Sequence, residues 1–327
     1  MKTKPVINKY IDPMVDYGFK VIFKESGNKQ LLIRPLNEIF DQDIVDIEIR
    51  ESEQMGFSRE THRACYDLFC ESADGNRFII EVQLGEQEHF PERALFYTSL
   101  PIVKSLPRSP QEKKGRKKPK KQKRVRWNYD YPPVFFLGLL NFDLRHLNPG
   151  LSDPEQYIHF FTLRDERTNE LMTNRLRFAF MEVKRFDKPK EKCLSFEDRF
   201  LFILKNLPTF ATEPNLWNDP YFNELITEAE FANMTERQQE RYIARMMQRW
   251  DYQNSMDYAM KKGLEEGRAK GLAKGLAEGR AEGRAEGRAE GREQQAVETA
   301  RRMLEKNYPL EAILEISGLS EEQVRAL

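Results

Sequence analysis

Thirteen residues separate Asp67 from the tripeptide Glu81-Val82-Gln83. In an extended strand the side-chain period is two, so Glu81 and Gln83 project to one side and set an acidic oxygen beside a polar amide. The surrounding segment FIIEVQ (78–83) is otherwise apolar. An ionised carboxylate in such a strand is costly unless it is paired or ligates a cation. A divalent ion held by Asp67 and Glu81, its shell completed by a backbone carbonyl and water, would offset that cost. The competing reading is a strand-edge Asp and a buried, salt-bridged Glu.

The turn between the two acids decides whether they meet. Asp74-Gly75-Asn76 separates the β-favourable segments CYDLFCE (65–71) and RFIIEVQ (77–83). A two-residue turn at Asp74-Gly75 sets Asp67 opposite Val82 and sends Glu81 to the other face. A three-residue loop over 73–75, or a bulge, pairs Asp67 with Glu81. The metal reading therefore requires that irregularity.

Elements that would position these acids are visible on both sides. Val15, Phe19, Ile22 and Phe23 recur at helical spacing, as do Leu32, Leu36, Ile39 and Phe40, although Pro35 should kink the second helix or shift its start. DIVDIEIR (43–50) is a further short strand, residues 89–105 read as a helix after Pro91, and VFFLGLLNF (134–142) as a buried strand. Additional strands are expected at 157–163 and 176–186, joined by the polar RDERTNE. Strands mixed with helices indicate an α/β core ending near residue 187. Beyond it, Ser195 with Asp198, Asp219 before Pro220, and Thr235 with Gln238 are helix-start signatures.

Glycine then recurs every fourth residue at 263, 267, 271, 275, 279, 283, 287 and 291. As a lone helix the eight glycines would cost about 8 kcal/mol relative to alanine. The Glu stripe (278, 282, 286, 290) and the Arg stripe (280, 284, 288, 292) each repel internally at i, i+4, but could pair between helices. Self-association and a solvated, partly helical linker are the two readings. In the tail, Pro309, Gly318 and the Ser320–Gln323 pair mark short helices, and LSEEQVRAL shows no basic face suited to reading DNA. The expected organisation is a core over 1–187 with a basic insertion at 107–126, an α-helical extension over 188–262, the glycine repeat over 263–292 and a small helical tail over 293–327.

Several function classes are excluded or disfavoured. The 327 residues carry 53 basic and 53 acidic side chains with 39% hydrophobic residues, which is not a disordered polyelectrolyte. The longest apolar run, 134–140, is far short of a membrane span, and the charged opening MKTKPVINKYIDP lacks an apolar signal segment. Three cysteines (Cys65, Cys70, Cys193) without CxxC spacing point to a reducing cytoplasm. Histidines at 62, 89, 146 and 159 form no HExxH, which disfavours a histidine zinc site.

DYGFKVIF (16–23), LLIRPLNEIF (31–40), YDLFCESADGNRFIIEVQ (66–83), ERALFYTSL (92–100) and YPPVFFLGLLNF (131–142), in that order, together with the EGR repeat and the ISGLSEEQVRAL ending, resemble the PD-(D/E)XK nuclease-fold proteins of the recombination-promoting nuclease (Rpn) and putative transposase family. The resemblance implies a restriction-endonuclease-like mixed sheet flanked by helices, and a Mg²⁺-dependent endodeoxyribonuclease, with Mn²⁺ or Ca²⁺ as other divalent options. Asp67 and Glu81 match the acidic metal ligands, and Gln83 the last motif position, where the broad superfamily usually carries Lys and this family commonly Gln. A neutral amide can orient water but cannot stabilise negative charge as Lys would. Asp16 and Glu38 match polar positions of the N-terminal helices; the alternatives are a helix N-cap and an exposed carboxylate.

DNA is the implied partner. Arg93 and Tyr97, at i, i+4 on the helix after the strand, are placed to hold a phosphate, or are a surface Arg and a buried Tyr. Residues 107–126 contain eleven Lys or Arg, among them Lys113, Lys114, Arg116, Lys117, Lys118, Lys120, Lys121, Lys123, Arg124 and Arg126. Such a tract reads as a solvated loop that could grip phosphates without reading sequence. The leading expectation is a metal-dependent DNA endonuclease of low sequence specificity, linked to recombination or mobile elements. The alternative is a catalytically weak DNA-binding protein of the same fold that forms a homo-oligomer through 263–292.

Overall fold

The computed structural model describes residues 8–50, 53–54, 64–105, 129–148, 150–151, 153–212 and 216–327. The chain divides into two compact units, Met1–Arg249 and Trp250–Leu327. In chain order the first holds α1 (Asp16–Lys20), continued by a π-helical turn (Val21–Glu25), α2 (Gln30–Phe40), β1 (Ile47–Ile49), the short pair β2 (Glu53–Gln54) and β3 (Ala64–Cys65), β4 (Leu68–Ser72), β5 (Arg77–Gln83) and α3 (Phe90–Lys104). There follow β6 (Val134–Leu140), β7 (Ile158–Arg164), β8 (Leu171–Glu182), α4 (Phe196–Asn206), α5 (Pro220–Glu228) and the opening turns of α6 (Glu236–Glu305). No helix among the described residues is long and apolar enough to cross a membrane.

Six strands form one mixed sheet in the order β1-β4-β5-β6-β8-β7. β5, β6 and β8 run parallel at its centre, while β1, β4 and β7 pair antiparallel outside them. VFFLGLL of β6 is buried at every position, as a parallel strand covered on both faces requires. On one face Phe78, Ile80, Leu137 and Met181 pack with residues of α1, α2, α4 and α5. On the other, Ile79, Phe136 and Phe180 pack with Phe90, Ala94 and Leu100 of α3. The α/β core with flanking helices is the architecture that the sequence implies.

Two boundaries differ from expectation. The helices after residue 187 are not a separate extension: Phe200, Leu204, Phe222 and Leu225 lie in the same core as Phe23, Leu32 and Leu36, and Arg34 of α2 grips Asp219 through two bonds of 2.9 and 3.1 Å. The first unit accordingly closes at Arg249 rather than at 187, and α6 passes without a break through both 262 and the glycine repeat. β8 begins at Leu171, earlier than the expected 176, because the β7–β8 hairpin continues pairing past the apolar residues into Thr173 and Leu171. In the second unit Ala300, Met303, Ile313, Leu319 and Val324 form a small core of α6, α7 (Leu310–Ser317) and α8 (Glu321–Arg325), with Gly318 at φ 70° and a Ser320–Gln323 capping box as expected.

Pro35 does not break α2, and the reason is tertiary. A proline lacks the N–H that would bond the carbonyl four residues back. For Pro35 that carbonyl belongs to Leu31, and the Tyr221 hydroxyl of α5 donates to it at 2.9 Å. The same device recurs in α3. Pro101 leaves the Tyr97 carbonyl without its helical donor, and the Tyr66 hydroxyl donates to it at 3.0 Å. Each proline thus frees an acceptor that ties its helix to another segment. Tyr221→Phe is expected to destabilise the fold by about 1–3 kcal/mol, since it strands a buried acceptor. In a Pro35→Ala background, which restores the N–H, urea denaturation should show a clearly smaller loss; an equal loss in both backgrounds would reject the coupling.

Candidate active site

The β4–β5 connection is the three-residue loop that brings the acids together. Ser72 N–H donates to the Asn76 carbonyl at 2.8 Å, Gly75 N–H donates to the Ser72 carbonyl at 2.9 Å, and Gly75 takes φ +85°, which favours glycine. The resulting register pairs Leu68 with Ile80 and Phe69 with Ile79. One step further along, Asp67 faces Glu81. Asp67 Oδ2 accepts the Val82 N–H at 2.7 Å, which fixes the carboxyl at the mouth of the strand pair.

Helices reach this point from two directions. From α1, the Lys20 ammonium ion-pairs with Asp16 and lies 3.8 Å from Asp67 Oδ1. From α3, Arg93 Nη2 lies 4.0 Å from Glu81 Oε2 and donates to Gln83 Oε1 at 2.5 Å. Gly138, the neighbour of Glu81 on β6, lets α3 come this close: a Cβ there would stand 2.9 Å from the Phe180 ring and 3.3 Å from that of Phe90, the first residue of α3. Tyr66, the residue before Asp67, holds the middle of the same helix through the Tyr97 carbonyl.

Of the residues singled out by sequence, Asp67, Glu81, Gln83, Arg93 and Asp16 converge here. Gln83 is committed at both ends, accepting from Arg93 and donating from Nε2 to the Gly85 carbonyl at 2.7 Å. Arg93 stacks at 5.5 Å from the Tyr97 ring centroid and also donates to Gln87, so its fork is shared among Gln83, Gln87 and Glu81. Asp16 serves as an ion-pair partner rather than a helix cap. Glu38 is not brought in: it is exposed on α2, 3.7 Å from Arg34. The basic residues Lys113, Lys114, Arg116, Lys117, Lys118, Lys120, Lys121, Lys123, Arg124 and Arg126 lie outside the described residues. Sequence reasoning passed over Lys20, although its i, i+4 spacing from Asp16 on one helix face was a readable signal.

Electrostatically the pair is unresolved. Burial pushes both carboxyls up, Asp67 to about 7 and Glu81 to about 8; Asp16 adds to the rise at Asp67, and Asp67 to that at Glu81. Burial also works to raise Asp16, but the Lys20 ammonium, a hydrogen bond with Asp67 and the charge of Arg245 together outweigh it and hold that carboxyl below its ordinary range. A second buried acid on the same sheet face shows what compensation looks like. Glu182 accepts from Leu144 N–H at 2.6 Å and meets His159 and Arg185 at 2.9 and 3.1 Å. Glu81 Oε1, by contrast, is buried without a hydrogen-bond partner.

An unpartnered carboxylate oxygen facing a second carboxyl suits a hard divalent cation. Among the described residues no group of three or more His, Cys, Asp or Glu is arranged to hold a metal ion, so Asp67 and Glu81 are the protein donors on offer, with solvent left to fill the shell.

These raised carboxyls carry a stability signature. Between roughly pH 4, where free carboxyls ionise, and about pH 8, the folded chain retains protons that the unfolded chain has released. Their contribution to metal-free stability therefore falls as pH rises across that window. Glu81→Gln should raise the melting temperature in EDTA at pH 8 more than at pH 5, and Mg²⁺ or Ca²⁺ should stabilise the wild type more at pH 8. Equal shifts at both pH values would show that the pair is not strained by ionisation.

No curated protein and no solved structure matches the chain. Residues 13–259 match the family profile described as PD-(D/E)XK nuclease family transposase. That span takes in α1 through the glycine-repeat approach, including both acids and the helices that flank them, and the chain belongs to the PD-(D/E)XK nuclease family transposases.

Proposed function

We propose that the chain is a metal-dependent DNA endonuclease of low sequence specificity, working in the cytoplasm in recombination or mobile-element biology. The observation that carries this reading is the pair of half-buried Asp67 and buried Glu81 at matching positions of the β4–β5 register, with Glu81 Oε1 left without a partner. Mg²⁺ is the first candidate cation, with Mn²⁺ or Ca²⁺ as substitutes. When bound, a divalent cation lowers the pKa of a neighbouring water and offsets the charge of the phosphate. Asp67 and Glu81 would hold it; the Val82 N–H occupies Asp67 Oδ2, while Oδ1 lies 3.8 Å from the Lys20 ammonium.

Hydrolysis here needs no covalent enzyme intermediate. The water oxygen bonds to phosphorus as the bond to the leaving sugar oxygen breaks; water gives up one proton to solvent and the leaving oxygen takes one. Arg93, steadied by Gln83 and stacked on Tyr97, would donate to a non-bridging phosphate oxygen. Low specificity follows from the basic tract at 107–126, whose lysines and arginines would contact backbone phosphates rather than bases. Glu38 stays outside this mechanism.

One observation favours a weaker enzyme. Both polar ends of Gln83 are engaged, so it has little left with which to orient water. A DNA-binding protein with little activity, assembling through residues 263–292, is the second reading. Along that segment a Cβ added at any of the repeat glycines would meet nothing, so packing within the chain does not offset their helix cost of about 1 kcal/mol each. Pairing of Glu and Arg stripes between copies would, and sedimentation velocity should then show an oligomer that dissociates in 1 M NaCl. A salt-independent monomer would reject the assembly.

The activity test is nicking of supercoiled plasmid. Wild type should nick with Mg²⁺ or Mn²⁺ and not in EDTA, and Asp67→Ala and Glu81→Ala should each lose roughly 100-fold or more. Unchanged nicking in both variants would reject this site, whereas DNA binding with no metal-dependent nicking by wild type would select the binding protein.

A further inference from the structure

We propose that Lys20 of α1 is a catalytic residue of this site, its ammonium supplying to the phosphate the positive charge that the neutral Gln83 does not. The inference rests on the endonuclease reading above and deepens it. Three observations lead to it. Lys20 Nζ stands 3.8 Å from Asp67 Oδ1, with its side chain 24% exposed, so the charge is set at the acid pair and largely shielded from solvent. Gln83, at the motif position, is both uncharged and bound at each end. Arg93, which comes within 4.0 Å of Glu81 from α3, has its donors shared among three acceptors.

Lys20 reaches the pair from α1 and carries a single ammonium on a flexible stem, which changes partners at less cost than a guanidinium shared among three acceptors. In the metal-free site the ammonium is bonded to Asp16 and lies 3.8 Å from Asp67. A dication between Asp67 and Glu81 would repel it, and Asp16, four residues back on the same helix, would keep it within reach. The released ammonium then faces the phosphate, whose negative charge grows as the water oxygen adds. Asp16 is in this account a positioning residue: it acts on the substrate through Lys20 and through Asp67, whose carboxyl it adjoins.

Competition for Asp67 makes a prediction with two opposite signs. In the full-length chain Lys20→Met should bind Mn²⁺ about three- to ten-fold more tightly, measured by calorimetry without DNA, because the competing ammonium is gone. The same variant should nick plasmid about 100-fold more slowly at saturating Mn²⁺. Lys20→Gln, which keeps a hydrogen-bond donor for Asp16 but no charge, should match Lys20→Met on both measurements and keeps the test decisive if the methionine variant unfolds. A Lys20 that only braces the fold would weaken Mn²⁺ binding and nicking together when replaced by Met and be rescued by Gln, which would overturn the proposal. Nicking at the wild-type rate by both variants, with Glu81→Ala inactive, would overturn the lysine's role and leave the endonuclease reading intact. No nicking by wild type with any divalent cation would overturn both.

Discussion

Two carboxyl groups held side by side with little access to water resist ionising, and the first unit is arranged around that conflict. Asp67 and Glu81 face each other because a glycine-dependent loop sets the register of β4 and β5. Had the fold wanted only a stable sheet, apolar residues there would have served better. The nearby Glu182, still more deeply buried, is ringed by a backbone N–H, His159 and Arg185, whereas Glu81 has only Arg93 at 4.0 Å and one oxygen without a hydrogen-bond partner. Leaving one oxygen of Glu81 unsatisfied is thus a property of that position and not of the sheet.

Around the pair, the helices are held by means that also depend on a missing donor. Proline in a helix interior ordinarily weakens it by removing one hydrogen bond and crowding the turn before it. At Pro35 and Pro101 the freed carbonyls are taken by tyrosine hydroxyls from outside the helix. The consequence is directional. A tyrosine at 66 adjoins the metal-ligand candidate Asp67, so the bond to the Tyr97 carbonyl fixes α3, and with it Arg93, relative to that acid. Gly138 sets the approach of α3 from the sheet side by making room for Phe90. Position, rather than reactivity of any one side chain, is what these contacts supply, in keeping with a reaction whose barrier is lowered mainly by placement and charge.

How much of this was legible in the sequence follows from the range of each interaction. The Asp67–Glu81 pairing is readable because it depends on a local turn, on strand period two and on an acid in an apolar run, all within seventeen residues of chain. Helix caps at Ser195, Asp219 and Ser320 are readable for the same reason. The unbroken α2 is not, since the freed Leu31 carbonyl is taken by Tyr221, 190 residues from Leu31. Nor is the merging of α4 and α5 into the sheet's core, because an amphipathic stripe states that a face is buried but not against what. Glu38 illustrates the reverse error: a polar residue at a matching helix position, but on the face of α2 turned to solvent and Arg34. Lys20 stood in plain view four residues from Asp16, yet its closeness to Asp67 is a tertiary fact.

The glycine repeat poses a geometric problem of its own. Four residues advance an α-helix by about 400°, so a stripe of period four drifts by about 40° per repeat and circles the helix once in about 54 Å. Eight glycines therefore do not form a straight seam along α6, and two straight helices would bring only a few of them into contact at a time. Keeping a period-four stripe at an interface requires winding the helices right-handedly, further than an eleven-residue repeat demands. Because the Glu and Arg stripes drift at the same rate as the glycines, such winding would keep all three in register along its length. Straight pairing would satisfy none of them for more than about two turns. An assembly through this segment is thus either tightly coiled or confined to short patches, and only the first gives a uniform four-residue repeat a reason to persist through eight copies.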